Sequence, residues 1–265
     1  MAFVNYATGN LAIKIVYYGA GLSGKTTNLR YMYTNMDVDF RGELICLETD
    51  TERTLFFDLL PIKAGVINGF KIHLQLLTVP GQVFYAASRK SVLKGVDGIV
   101  FVADSQIPLL DANLESFDGL RRNLLEHSVD INFIPLVFQY NKRDLDNLIP
   151  VETFNNLLNP SGHPYIESCA IKGMGVFETL KEITKLAIPL VKEKIKEDER
   201  KIVGKERLKK RKEEKKETPE KKDEIKFVAK KKGVPLRVTK VKFKSQNDIE
   251  EELENLAKDF TGSKK

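Results

Sequence analysis

The sequence predicts an α/β fold, a mostly parallel central sheet flanked by helices, and two observations carry that prediction. Short apolar runs alternate with longer stretches of helical periodicity over about the first 190 residues, the signature of consecutive βαβ units. A glycine-rich segment, "YYGAGLSGKTT" (Tyr17 to Thr27), joins one such run to a helical stretch, although each glycine costs more backbone entropy on ordering than alanine would.

Taken in order, Ala12 to Tyr18 is an apolar run and the first expected strand, and Lys25 to Asn35 is the helix after the glycine-rich turn. Leu44 to Leu47 is a short strand. Phe70 to Val79 alternates apolar and polar residues as a half-buried strand does. Ile99 to Ala103 and Ile134 to Gln139 are continuous apolar runs, expected to be buried on both faces. Between them Leu109 to Glu126 reads as a helix. Val151 to Leu158 is a further helix, and Tyr165 to Cys169 the last strand. Val176 to about Lys194 places Phe177, Leu180, Ile183, Leu186 and Leu190 on one helical face, with Pro189 expected to kink it. "TDTERTLFFDLLP" and "TVPGQVFY" read as loops.

Composition excludes several classes. No apolar run approaches the roughly 18 residues that span a bilayer, and the start "MAFVNYATGN" has no signal-peptide pattern. A cytoplasmic location is therefore expected. Cys46 and Cys169 lack CxxC spacing and read as small buried residues, and the three histidines, 73, 127 and 163, lack metal-ligand spacing. The net charge of +6 is unevenly divided. Residues 1–192 carry 18 Lys and Arg against 20 Asp and Glu, a net of −2, whereas residues 193–265 carry 25 against 17, a net of +8. We expect one domain over residues 1–194 and a Lys/Glu-rich extension over 195–265, largely disordered or helical. Within it, residues 234–260 combine an alternating apolar and basic stretch with an amphipathic one, and form a candidate partner-binding element.

Gly19 to Thr26 match G-x-x-x-x-G-K-[ST], between an expected strand and an expected helix as a phosphate loop requires. Gly19, Gly21 and Gly24 let the backbone around Leu22 and Ser23 curl so that N–H groups point at phosphate oxygens, beside the positive end of the next helix. Lys25 is expected at the β and γ phosphates, Thr26 at Mg²⁺, and Thr27 at the nucleotide. The fold is thus that of a P-loop NTPase. "YNKRDL" selects the base: Asn141, Lys142 and Asp144 follow an apolar strand at the sheet edge where ligands bind. A carboxylate at Asp144 accepts two hydrogen bonds from guanine N1–H and N2–H, which adenine does not offer. Ser168, Cys169 and Ala170, after the next strand, are placed to complete the base pocket.

Two further segments bear on hydrolysis. Gly81 can bring its N–H to a γ-phosphate, and Gln82 is placed to orient water. Thr54 is a candidate sensor of γ-phosphate and Mg²⁺. Arg53 is a candidate source of transition-state charge, or equally a surface cation between acidic neighbours.

Together "KIVYYGAGLSGKTTNL", "ETDTERTLFFDLLP", "TVPGQVFYAASRKSVLKGVDGIVFVADSQ" and "QYNKRDL" resemble the MglA-type bacterial Ras-like GTPases, switches of cell polarity and gliding motility, from about Phe3 to Val191. The resemblance implies a Ras-like G domain that cycles between GDP and GTP with Mg²⁺ and hydrolyses GTP slowly by itself. It implies a roadblock-type activating partner similar to MglB, a built-in arginine finger at Arg53, a water-positioning Gln82, a strand near Leu44 to Leu47 that slides on GTP binding, and recruitment to a cell pole by partners. General Ras-like proteins carry an acidic residue where this chain, like MglA-type members, has Thr78. Mg²⁺ would then rest on Thr26, Thr54 and water, with Asp104 a second, more distant candidate. The extension lies outside the resemblance and is a candidate surface for effectors. A GTP-regulated nucleic-acid or ribosome-binding protein is the alternative, but 17 acidic residues and only three aromatics in residues 193–265 argue against nucleic acid.

Overall fold

A computed structural model describes residues 3–6, 8–48, 54–67, 69–81 and 86–214. Arg53, Gln82 and the element at 234–260 lie outside the described residues. The strands are β1 (Phe3–Asn5), β2 (Asn10–Tyr18), β3 (Ile45–Glu48), β4 (Thr54–Ile67), β5 (Phe70–Thr78), β6 (Gly98–Asp104), β7 (Leu136–Asn141) and β8 (Tyr165–Glu167). The helices are α1 (Lys25–Asn35), α2 (Ala86–Leu93), α3 (Leu110–Glu126), α4 (Val151–Leu157) and α5 (Val176–Glu214).

One sheet runs in the order β3-β4-β5-β2-β6-β7-β8, with β1 antiparallel to the start of β2. From β5 to β8 every pairing is parallel, while β3, β4 and β5 pair antiparallel. Alternation across the pleat sends side chains of one strand into two cores. Val100 and Val102 enter the core that also holds Leu29 and Met32 of α1 and Leu180 and Ile183 of α5. Ile99, Phe101 and Ala103 enter the other, against Leu93 of α2, Leu120 and Leu124 of α3 and Phe154 of α4. Covered on both faces, β6 and β7 are buried at every position, which is why they are continuous apolar runs in the sequence.

Three elements differ from expectation. Thr54–Pro61 is strand, not loop: β4 pairs with β5 from Leu59↔Leu77 to Ile67↔Phe70 and carries Pro61 within it. A short helix, α2, follows the "TVPGQVFY" segment. The last helix does not end near Lys194 but continues to Glu214, because Lys and Glu are good helix formers that need no burial to extend one. Its buried stripe is Val176, Leu180, Ile183, Ala187, Val191 and Ile195, while Leu190, expected on that face, is 38% exposed. No helix among the described residues is long and apolar enough to cross a membrane.

Strand register decides where the chemistry gathers. Tyr17 lies beside Thr78, Tyr18 beside Phe101, and Asp104 beside Asn141. The carboxyl ends of β2, β5, β6 and β7 therefore share one sheet edge, where α/β folds bind ligands.

Candidate nucleotide site

The segment from Gly19 to Gly24 leaves β2 and opens α1. Gly24, at φ 100°, is the N-cap of α1, and no side chain caps the helix. The first turn of α1 has no acidic residue either, so its amide donors and its dipole are left for an anion. Leu22 also sits in left-handed backbone at φ 61°. A Cβ at Gly24 would run into Asn141 Nδ2, and one at Gly81 into the backbone of Gly21. Only glycine allows these close approaches, and they bring the turn after β5 against the phosphate loop.

Lys25 is 6% exposed. Its Nζ donates to the carbonyls of Gly19, at 3.0 Å, and Ala20, at 2.7 Å. Burial pushes its pKa down to about 7; the Asp58 carboxylate opposes that shift, and the Arg89 cation adds to it. A phosphate beside the ammonium holds the proton on, so binding above neutral pH must take up a proton. Nucleotide affinity is expected to be greatest below pH 7 and to fall by up to about tenfold per pH unit above it. Calorimetry at pH 8 in buffers of different ionisation enthalpy should show uptake approaching one proton per nucleotide; no uptake would contradict it.

The residue that the sequence reading missed is Asp58. It is fully buried on β4, and its Oδ2 accepts from the hydroxyls of Thr26 and Thr78, each at 2.6 Å. The Asp58 amide in turn donates to Thr78 Oγ1 at 3.0 Å. A carboxylate thus stands beside Thr26 although the β5 position is threonine. The signal was present: in "FFDLLPI", Asp58 shares the inward parity of Leu60 and Ile62. These hard oxygen donors suit Mg²⁺, which is held by one or two carboxylates with phosphate and water. No group of three or more His, Cys, Asp or Glu suited to a metal occurs among the described residues. Asp104 is elsewhere: its carboxylate meets Lys142 at 2.5 Å, on the base side of the site. Thr54 opens β4 opposite Glu48, and its side chain lies outside the described residues.

Asn141 joins the two halves of the site. Its Nδ2 donates to Ser23 O at 2.8 Å, while its Oδ1 accepts from Ala170 N at 2.9 Å and Ser168 Oγ at 3.2 Å. Asn28 of α1 and Gln139 of β7 form a reciprocal buried amide pair at 2.9 Å, and Asn28 also donates to Gly24 O. Beside them opens a cavity of about 240 Å³, walled by Gly24, Thr27, Asn141, Lys142, Cys169 and Ala170, with Asp144 among its polar groups. Leu22, Leu145 and Ile171 also line it, and all three are exposed. Asp144 is held below the usual carboxylate range, chiefly by a hydrogen bond from the Cys169 thiol and against some desolvation; its own backbone amide and the Lys172 ammonium, 3.4 Å away, help. Burial first, and then the Asp144 carboxylate, push the Cys169 thiol up. Asp144 is thus a charged double acceptor at neutral pH.

The residues expected to bind phosphate and those expected to bind the base therefore lie along one sheet edge. No family model matches the chain. It is 26% identical over 186 residues, 66% of this chain and 81% of the relative, to the Ras-related protein Ral-B of Rattus norvegicus. It is 54% identical over 192 residues, 72% of this chain and 98% of the relative, to the mutual gliding-motility protein MglA of Myxococcus xanthus (strain DK1622). At that identity and coverage, with the fold and the edge cluster described above, the chain belongs to the MglA family of Ras-like small GTPases.

Proposed function

We propose that this GTPase is a Mg²⁺-dependent GDP/GTP switch of a cell-polarity or gliding-motility system, acting in the cytoplasm with an MglB-like roadblock activating partner. The observation that supports it best is the pairing, on one sheet edge, of an uncapped α1 terminus with Asp144 in a cavity of about 240 Å³. Backbone amides of Gly19 to Thr26 and the Lys25 ammonium hold phosphate oxygens. Asp144 reads guanine, and Asn141 ties the base pocket to the phosphate loop. Arg53 and Gln82 act on hydrolysis, and Thr54 and Gly81 serve to sense the γ-phosphate. Residues 1–194 carry the switch, and 195–265, into which α5 runs, offer a surface for effectors.

Mg²⁺, when bound, neutralises charge on the β and γ oxygens. Thr26 and Thr54 would hold it, and Asp58, which accepts from the Thr26 hydroxyl, would orient its surroundings. Asp58→Asn is expected to speed GDP release at a fixed Mg²⁺ concentration by about 10- to 100-fold. A dissociation rate with an unchanged Mg²⁺ dependence would remove Asp58 from this role. The reading as a whole is tested by competition on the purified chain. GTP and GDP should displace a fluorescent GDP analogue and ATP should not; ATP competing equally, or no binding with Mg²⁺ present, would overturn it.

A further inference from the structure

Gln139 stands in the middle of β7 on the same face as Val137, a member of the apolar core shared with α1 and α5. It is fully buried, as are Asn28 of α1 and Thr179 of α5. Gln139 Oε1 accepts from Asn28 Nδ2 at 2.9 Å, and its Nε2 donates to Asn28 Oδ1 at 2.9 Å and to Thr179 Oγ1 at 3.0 Å. Asn28 Nδ2 also donates to Gly24 O at 2.9 Å, and the Thr179 hydroxyl donates to Gly175 O at 2.6 Å. Every amide and hydroxyl hydrogen of the three side chains is thereby used. Both ends of this chain of bonds are carbonyls of glycines in left-handed backbone, Gly24 at φ 100° and Gly175 at φ 74°.

Gly24 ends the phosphate loop, and Gly175 ends the segment from Ser168 that brings Cys169 and Ala170 to the base cavity. Neither glycine has room for a Cβ: Asn141 Nδ2 fills the space at Gly24, and Glu167 O and Ser168 fill it at Gly175. α1 reaches the base segment a second time. The Tyr31 ring, one turn beyond Asn28 on the same helix face, occupies the space that a Cβ at Gly173 would need and packs edge-on against Phe177 of α5. A buried polar network of this kind adds little stability, since apolar groups of the same shape often replace one without loss. What it supplies is position. We propose that Asn28, Gln139 and Thr179 are positioning residues that tie the phosphate loop to the base segment, so that an anion seated at one sets the other for the purine. The inference rests on the nucleotide reading above and deepens it. None of the three lines the cavity, so they act through Gly24 and Gly175, behind the direct tie that Asn141 makes.

The test uses the full-length protein with two fragments, guanosine, which has no phosphate, and inorganic pyrophosphate, which has no base. In the unmodified protein pyrophosphate should tighten guanosine about tenfold. Thr179→Val keeps the side-chain shape and removes the hydroxyl; it should cut that tightening to about twofold and speed release of a fluorescent GDP analogue about 5- to 20-fold. Thr179→Ser keeps the hydroxyl and should restore both. The combined variant Asn28→Leu, Gln139→Leu, Thr179→Val should lose the tightening as well, with the melting temperature of the nucleotide-free protein unchanged or raised. Equal tightening in Thr179→Val and the unmodified protein, no tightening in either, or failure of Thr179→Ser to restore it would overturn the proposal. A lower melting temperature in the combined variant, with GDP release faster only in proportion, would make the network structural and overturn it too. If the unmodified protein fails to bind GDP, the underlying reading falls. If it binds GDP and Thr179→Val is silent, only this inference falls.

Discussion

Asp144→Asn is expected to exchange guanine preference for xanthine preference. A carboxylate offers two acceptors to guanine N1–H and N2–H, and here the Cys169 thiol chiefly holds it further below the usual carboxylate range. Asparagine offers one acceptor and one donor, so one guanine N–H would face another N–H in a site partly shut from water. Xanthine has a carbonyl where guanine has its amine, and the amide donor matches it. A site built around a hydrogen bond rejects the mismatched partner by up to roughly 10⁴- to 10⁵-fold. Some exposure of this pocket brings the expected loss of GDP affinity to about 10²- to 10³-fold, with xanthosine diphosphate becoming the tighter ligand. Displacement of a fluorescent GDP analogue by the two diphosphates checks it; an unchanged ratio would take Asp144 out of the base pocket.

Arg53→Ala is expected to slow GTP hydrolysis while leaving GDP affinity within a few-fold of its original value. Arg53 directly precedes Thr54, the first residue of β4. β4 runs antiparallel to β5 and its Asp58 touches Thr78, the last residue of β5, so β4 enters the sheet from the ligand edge. An arginine that meets the charge developing on a transferring phosphoryl group is worth roughly 10³ to 10⁵ in rate. If Arg53 has this role, its loss falls on the chemical step and not on ground-state binding. Single-turnover measurements with and without a roadblock-type partner separate the two. A rate unchanged in the presence of that partner would make Arg53 an ordinary surface cation. Gln82→Leu should slow the same step.

What was legible in the sequence was what is local. The glycine-rich turn into α1 and "NKRD" stand out because the expected chemistry of each is written in a handful of adjacent residues, and the strand before each supplies the context. The buried runs of β6 and β7 were equally plain. Asp58 was not, because its partners lie 32 and 20 positions away and meet it only once β4 pairs with β5. That pairing was hidden by Pro61, which argues against a strand interior, and by reading the whole segment as a loop. The Asn68-Gly69 pair between two apolar runs is a hairpin signal that favours β4 and β5. α2 is eight residues long, too short for periodicity to reveal it. The Asp104–Lys142 pair spans 38 positions, and nothing in the local pattern of either residue announces it.

The contact between Gly81 and Gly21 has a mechanical consequence. Two backbones meet there with no side chain between them, so the chain leading to Gln82 rests against the phosphate loop as a bolt rests in its keeper. A change of an ångström in one loop has no soft material to absorb it and passes to the other by hard-core repulsion. Such a linkage is indifferent to salt and acidity, and a single methyl group at Gly81, which would drive into the backbone of Gly21, is enough to jam it.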